Sequence, residues 1–343
     1  MEATTSRAHF FYIDILRIVS TLGVIAIHMP YAAKIQCFEW QRDFVMSALN
    51  CFARFAVPVF FMISGACNLN RADFSFPKLF RKAGRLLLIL FFWSTLYGAI
   101  AFFSEKESYG DLFHRILFGH YHLWFLYALF GLYLAIPILN NIMKDGKLAL
   151  YFMILIVIFK DLPALLELTG VRWCVNGKHL LAQFSMEPIS EFTLYFMAGY
   201  YLHNLTLSRK VRIVLYISGA LSCLATIFLT ACISNGRVYN EYFLYCQNPT
   251  ILLWASAIFT FVKYSAPENL SEKSCRRLAW LGRATLGIYL VHPLILSMIY
   301  PLFKKPFGKM PFLTSLVLIP TLFVLALLLT TLLKKIKFLR NIV

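Results

Sequence analysis

The sequence predicts an all-α, polytopic integral membrane protein with about ten transmembrane helices, and three observations carry that prediction. Hydrophobic residues make up 60% of the 343-residue chain and charged residues only 14%, whereas a soluble domain sits nearer half apolar and a quarter charged. Mean hydropathy is +0.69. Apolar runs close to the roughly 20 residues a helix needs to cross the hydrocarbon core recur along the whole chain, separated by short polar breaks.

The runs lie near 10–29, 43–68, 83–104, 122–139, 148–168, 189–204, 212–233, 247–264, 281–302 and 312–333. The sixth is short and the fifth is interrupted by Lys160 and Asp161, so nine and eleven are the neighbouring counts. No linker or repeat divides the chain, and residues 1–343 read as one membrane-embedded domain. Residues 1–9 read as a short cytoplasmic tail and not a signal peptide, because no small-residue cleavage site follows a short apolar core. Residues 334–343 read as a basic cytoplasmic tail. With both termini cytoplasmic, Lys and Arg in the loops favour the inner side by about two to one, as orientation by positive charge requires. The basic loop at 304–309 is the weakest part of that assignment.

The net charge of +17 does not point to nucleic acid, because the cations sit in short loops between apolar runs. There they act as orientation signals and contacts for anionic membrane lipids. The eight cysteines contain no CxxC pair, so neither a metal site nor a redox motif is expected. Cys37 and Cys174 fall in loops, where pairing is open.

Ionisable residues inside an apolar helix cost about 2.5–3.5 kcal/mol each on insertion scales and need a reason. The first run carries three: Asp14, Arg17 and His28. Arg17 and His28, eleven residues apart, return to within about 20° of one helix face, roughly 16 Å apart along the axis. Asp14 shares that stripe and reads as an ion-pair partner of Arg17. A neutral imidazole at the far end of such a stripe is suited to take a proton from a hydroxyl, and His28 is read as that base. Arg54 has two suitable partners, Asp14 or an anionic ligand. Pro58 should bend the second helix, and Ser64 reads as a packing serine.

Lys78, Arg81, Lys82 and Arg85 cluster before the third run. Alone they read as positive-inside anchors, and more sharply as a phosphate cradle. His122 falls at a boundary where it can be solvated. His292 is deep, and a hydrogen-bonded or catalytic role suits it. Glu187 and Glu191 read as interfacial. No G-x-S-x-G, H-E-x-x-H, G-x-G-x-x-G or Walker A loop occurs. The H-x4-D spacing of His9 and Asp14 straddles a membrane entry and is taken as chance.

Several segments together resemble membrane acyltransferase family 3, the acyl-CoA-dependent O-acyltransferases. IDILRIVSTLGVIAIH resembles the family's R-x10-H helix, with Arg17 and His28 in the matching places. RFAVPVFFMISGA at 54–66 is similar to its second-helix signature, and Lys82 and Arg85 fall where it has an R-x-x-R-type element. The first position here is Lys, unless the pair is shifted to Arg81. HLWFLYALFGLYLAIPIL at 122–139, FTLYFMAGYYL at 192–202 and LGIYLVHPLIL at 286–296 resemble three later conserved runs, in family order. The chain is similar to the short, single-domain members that act on bacterial cell-surface glycans.

The resemblance implies transfer of an acyl group, acetyl in the first instance, from cytoplasmic acyl-CoA to a hydroxyl of a lipid-linked or cell-surface polysaccharide. It implies His28 as base and Arg17 as a stabiliser of the donor or oxyanion. Arg81, Lys82 and Arg85 would hold the CoA phosphates, with Asp14, Arg54 and His292 as secondary site residues. No permanently bound cofactor is implied, and the location is the bacterial inner membrane. Two other readings compete: a transporter or flippase for a lipid-linked sugar or acyl carrier, and the same fold transferring succinyl.

Overall fold

The computed structural model describes residues 10–29, 38–105, 108–161, 174–175, 178–179, 191–246, 248–267 and 270–343. The expectations for residues 1–9, for Glu187, for a Cys37–Cys174 pairing and for the second half of the fifth run lie outside the described residues.

Twelve α-helices are described: α1 (Phe11–Ile27), α2 (Trp40–Ala53), α3 (Ala56–Asn68), α4 (Phe76–Glu105), α5 (Tyr109–Phe118), α6 (Trp124–Ile142), α7 (Gly146–Ile156), α8 (Glu191–Asn204), α9 (Arg209–Ser234), α10 (Pro249–Ser265), α11 (Glu272–Lys309) and α12 (Pro311–Leu333). Two two-residue strands, Cys174–Val175 and Lys178–His179, pair antiparallel. By length and composition, six stretches among the described residues are able to cross a membrane: Asp43–Asn68, Phe76–Ser104, Trp124–Ile142, Arg209–Ser234, Glu272–Lys309 and Pro311–Leu333. Many large apolar side chains on them, Val214, Leu221 and Phe228 of α9 among them, are exposed, as on a surface solvated by lipid. The chain is a helical membrane protein.

Several boundaries differ from the sequence reading for identifiable reasons. The second run is interrupted at Arg54–Phe55, between α2 and α3. Pro58 has no N–H for the carbonyl four residues back, that of Arg54, and its ring crowds the same group. The break therefore falls one turn before the proline. The third helix starts at Phe76, so Lys78, Arg81, Lys82 and Arg85 ride on its first turns and do not precede it. α5 was not expected as a separate helix. It opens on a capping box in which Ser108 and Asp111 each take the other's backbone N–H, an S-x-x-D signal that was present in the sequence. α7 runs into a π-helical turn at Val157–Asp161, where Lys160 and Asp161 interrupt the apolar run. α11 is 38 residues long, roughly 57 Å, and takes in the basic residues 304–309, which the sequence places in a loop.

With lipid as solvent, helices gain little by hiding apolar surface from each other, and close approach through small residues supplies the contact. Gly65 of α3 and Gly199 of α8 do this reciprocally. A Cβ on Gly65 would overlap the Phe196 carbonyl, and one on Gly199 would overlap the Met62 carbonyl. Gly23 of α1 seats against Ala56, and Gly282 of α11 against the Asp14 carboxylate. α1 is thereby clamped between α3 and α11.

Residues 334–343 carry the expected basic charge, but they do not hang free. Trp93 Nε1 donates to the Ile342 carbonyl at 2.9 Å and Arg85 Nε to that of Asn341 at 3.1 Å. Ile342 and Val343 are buried, with Val343 beside Gly287 of α11.

Candidate active site

The polar stripe of α1 borders a cavity of about 480 Å³, a size that suits a small-molecule site. Arg17 and His28 both line it, with Arg54, Ser64 and Asn68 from the α2–α3 crossing, His122, Trp124 and Tyr133 at α6, and Thr285 and Tyr289 from α11. Arg17 and His28 mark its two ends, roughly 16 Å apart along the helix.

At the Arg17 end, Arg17 Nη1 donates to Asp14 Oδ1 at 3.0 Å. Asp14 is 1% exposed and Arg17 32%, so the carboxylate is sealed in while the guanidinium reaches the cavity. Burying a lone carboxylate is prohibitive, and the paired, hydrogen-bonded arrangement is what makes it tolerable. Asp14 is therefore Arg17's partner, as the sequence suggested. Arg54 does not take that place: its Nε donates to Asn50 Oδ1 at 3.1 Å and its Nη2 lies 3.5 Å from Glu241 Oε1. Arg54 sits at the helix break and borders the cavity near the His28 end.

At the His28 end, imidazoles gather. His28 is the C-cap of α1, and its ring stacks on that of His292 with centroids 5.3 Å apart. The His122 ring meets His292 edge-on at 5.8 Å, and His122 Nδ1 is 2.9 Å from His120 Nδ1. His292 is 0% exposed and His122 1%. His122, at a boundary where the sequence allows solvation, is thus a buried cavity residue. What sequence could not show is that the Tyr289 hydroxyl donates to the His122 carbonyl, pulling the 119–123 turn onto α11.

The position of His292 follows from the proline after it. Pro293 has no N–H for the Tyr289 carbonyl, and His292 Nδ1 takes that carbonyl at 2.7 Å. A carbonyl only accepts, so the Nδ1 proton is fixed there and Nε2 carries the lone pair.

A second, basic cavity of about 230 Å³ lies beyond the Arg17 end, lined by Arg71, Asp73, Lys78, Arg81 and Lys82 among others. Asn68 borders both cavities. Its Oδ1 accepts from Lys82 Nζ at 2.6 Å, and its Nδ2 donates to the Ser64 carbonyl at 2.7 Å. Asp73 lies in the turn before α4, with its carboxylate held well below the usual range by the Arg71 hydrogen bond and then by Lys78. Arg81 and Lys82 of the predicted trio face this cavity, whereas Arg85 is turned to the Asn341 carbonyl. No group of three or more His, Cys, Asp or Glu among the described residues is placed to hold a metal ion.

The fold and the site together define a multi-pass membrane protein with an internal, imidazole-lined cavity adjoining a basic one. The acyltransferase domain model of the acyltransferase 3 family matches residues 10–335, and the chain belongs to that family. It is a membrane acyltransferase. No curated protein and no solved structure gives a significant match.

Proposed function

We propose that this protein moves an acyl group, acetyl in the first instance, from acyl-CoA to a hydroxyl of a lipid-linked or cell-surface polysaccharide in the bacterial inner membrane. The observation that carries the reading is the shared Asn68. It joins a basic cavity suited to phosphates to a cavity that ends at His28. Ten crossings serve this arrangement: α1, the broken α2–α3, α4, α6, α7, α8, α9, α10, α11 and α12. Both termini and the basic cavity lie on the cytoplasmic side in this reading.

Arg81 and Lys82 then hold the CoA phosphates, and the pantetheine arm passes Asn68 toward His28. Arg17 lies too far along α1 to touch an atom reacting at His28, so its cation holds the donor on the way in. His28 takes the acceptor hydroxyl proton as the oxygen attacks the thioester carbonyl carbon. The C–S bond breaks, and His28 returns the proton to the departing thiolate, leaving an ester and free CoA. Direct transfer suffices, because among the described residues no Ser or Cys at the His28 end is paired with a base that would activate it to form a covalent acyl-enzyme. His292 positions the base through the ring stack.

Label transfer from radioactive acetyl-CoA to envelope material tests this, with wild type beside His28→Ala and Arg17→Ala at matched expression. Transfer by wild type that His28→Ala abolishes supports it. Equal transfer by His28→Ala overturns the assignment of the base. Label from succinyl-CoA but not acetyl-CoA changes the acyl group. No label from any acyl-CoA removes the donor class.

A further inference from the structure

The acyltransferase reading leaves the buried Nε2 of His122 without a task. His122 Nε2 has no hydrogen-bond partner among the described residues although it is buried, and the residue borders the same cavity as His28. Buried polar atoms are nearly always paired, and an exception needs a reason.

His122 is held through both its ring and its backbone. His120 Nδ1 lies 2.9 Å from His122 Nδ1, and the His120 ring is stacked on Tyr97 with centroids 4.3 Å apart. Tyr97 is itself fixed by donating to the Leu290 carbonyl at 2.8 Å. The His122 backbone carbonyl accepts the Tyr289 hydroxyl. Only one proton fits between two facing Nδ1 atoms. With that proton on His120, the neutral His122 ring carries its own on Nε2, the unpartnered atom.

We propose that His122 is a catalytic residue whose Nε2–H donates to the thioester carbonyl oxygen as that oxygen gathers negative charge. This rests on the acyl-CoA reading above. Four neighbouring groups are committed elsewhere. His28 acts as base and must offer a lone pair. His292 has its proton on Nδ1, bonded to the Tyr289 carbonyl. Thr285 Oγ1 donates to the Gly282 carbonyl at 2.8 Å, and Arg54 is held by Asn50 and Glu241. A donor held in place where charge develops stabilises the tetrahedral intermediate without reorganising. His122 keeps its proton throughout; the acceptor's proton moves to His28 and then to the CoA thiolate.

The test compares His122→Gln, His122→Asn and His122→Ala with wild type in membranes, per mole of folded protein. Initial rates of label transfer are read at varied acetyl-CoA. A glutamine amide reaches about where imidazole Nε2 sits, while asparagine reaches only the Nδ1 position. Gln is expected to keep the rate within about tenfold of wild type, and Asn and Ala to lose on the order of 10²–10³-fold in kcat. The donor KM should not move. The acid limb of the pH profile should be unchanged in His122→Gln, because His122 transfers no proton. Equal rates for Gln and Asn, a loss confined to KM, or a shifted acid limb would overturn the proposal. If the variants fold poorly, His120→Asn and His120→Ala provide the same contrast one residue removed. Asn keeps a donor for His122 Nδ1 and should retain turnover that Ala loses; equal turnover overturns the proposal. Wild type that transfers no acyl group from acetyl-, propionyl- or succinyl-CoA removes the parent reading, and this proposal falls with it.

Discussion

His292 Nδ1 donates to the carbonyl of Tyr289 at 2.7 Å, the carbonyl that Pro293 leaves without its helical partner. One proline thus fixes the tautomer and the tilt of a fully buried imidazole that stacks on His28. Pro293→Ala restores a backbone N–H that competes for the Tyr289 carbonyl. The variant is expected to keep or raise the thermal midpoint, because a helix-interior proline is removed. Turnover should fall on the order of tenfold to hundredfold, since the ring supporting His28 is no longer held in place. Thermal unfolding in detergent and label transfer on one preparation check both halves; equal loss of stability and activity would refute the positioning role.

Lys82 and Arg85, one helical turn apart, are expected to behave differently. Lys82 bonds Asn68 where the two cavities meet, whereas Arg85 bonds the Asn341 carbonyl. Lys82→Met should raise the KM for acyl-CoA on the order of tenfold to hundredfold, with little change in thermal midpoint. Losing one charged hydrogen bond to the donor costs about 1.5–3 kcal/mol, which sets that scale. Arg85→Met should lower the thermal midpoint by loosening residues 339–343 and leave the donor KM near wild type. Donor titration of both variants distinguishes them.

Asp73 places a permanent negative charge beside the basic cavity. The Arg71 hydrogen bond and Lys78 hold its carboxyl far below the usual range, so it stays ionised through neutral pH. Its contribution to folding is present above the unfolded carboxylate range and is lost only as pH falls through the depressed value. Asp73 therefore imposes no pH dependence on donor binding near neutrality. Asp73→Asn removes a competitor for Arg71 and Lys78 and should lower the acyl-CoA KM by about twofold to fivefold at low salt. The gain should shrink at 0.5 M salt, where exposed charges are screened. A KM that rises would place the phosphates elsewhere.

Gly65→Val is expected to abolish the folded protein. Its neighbour is the Phe196 backbone carbonyl, which cannot rotate away as a side chain would. Overpacking a core costs about 1–3 kcal/mol even where side chains can yield, and here they cannot. Size-exclusion profiles of a fluorescent fusion provide the readout. Gly131, with nothing near a built Cβ, is the control and should tolerate alanine.

Much of the fold was legible because lipid imposes a simple rule. Inside lipid an apolar run satisfies its own backbone by becoming helix, and the ends of α8, α9, α10 and α12 fall within three residues of the runs read from sequence. Discrepancies arose where a local signal outweighed hydropathy: Pro58 splitting the second run, and the Ser108–Asp111 box starting α5. The Asp14–Arg17–His28 stripe was also legible, because a helix fixes which residues share a face.

The composition of the stripe and the Asp14–Arg17 pair were determined by the sequence itself, since spacing of three and eleven residues on a helix decides them. Tertiary structure alone decided what faces that stripe. His122 sits at the edge of an apolar run, where the sequence leaves solvation open. The Tyr289 hydroxyl, 167 residues away, draws it inward. Arg85 looked equivalent to Arg81 and Lys82, until packing of residues 339–343 against α4 turned it away. Hydropathy and periodicity report what one helix prefers, but such long-range pairings depend on how close two helices come. That distance is set by glycines such as Gly65, Gly199 and Gly282 meeting partners far along the chain.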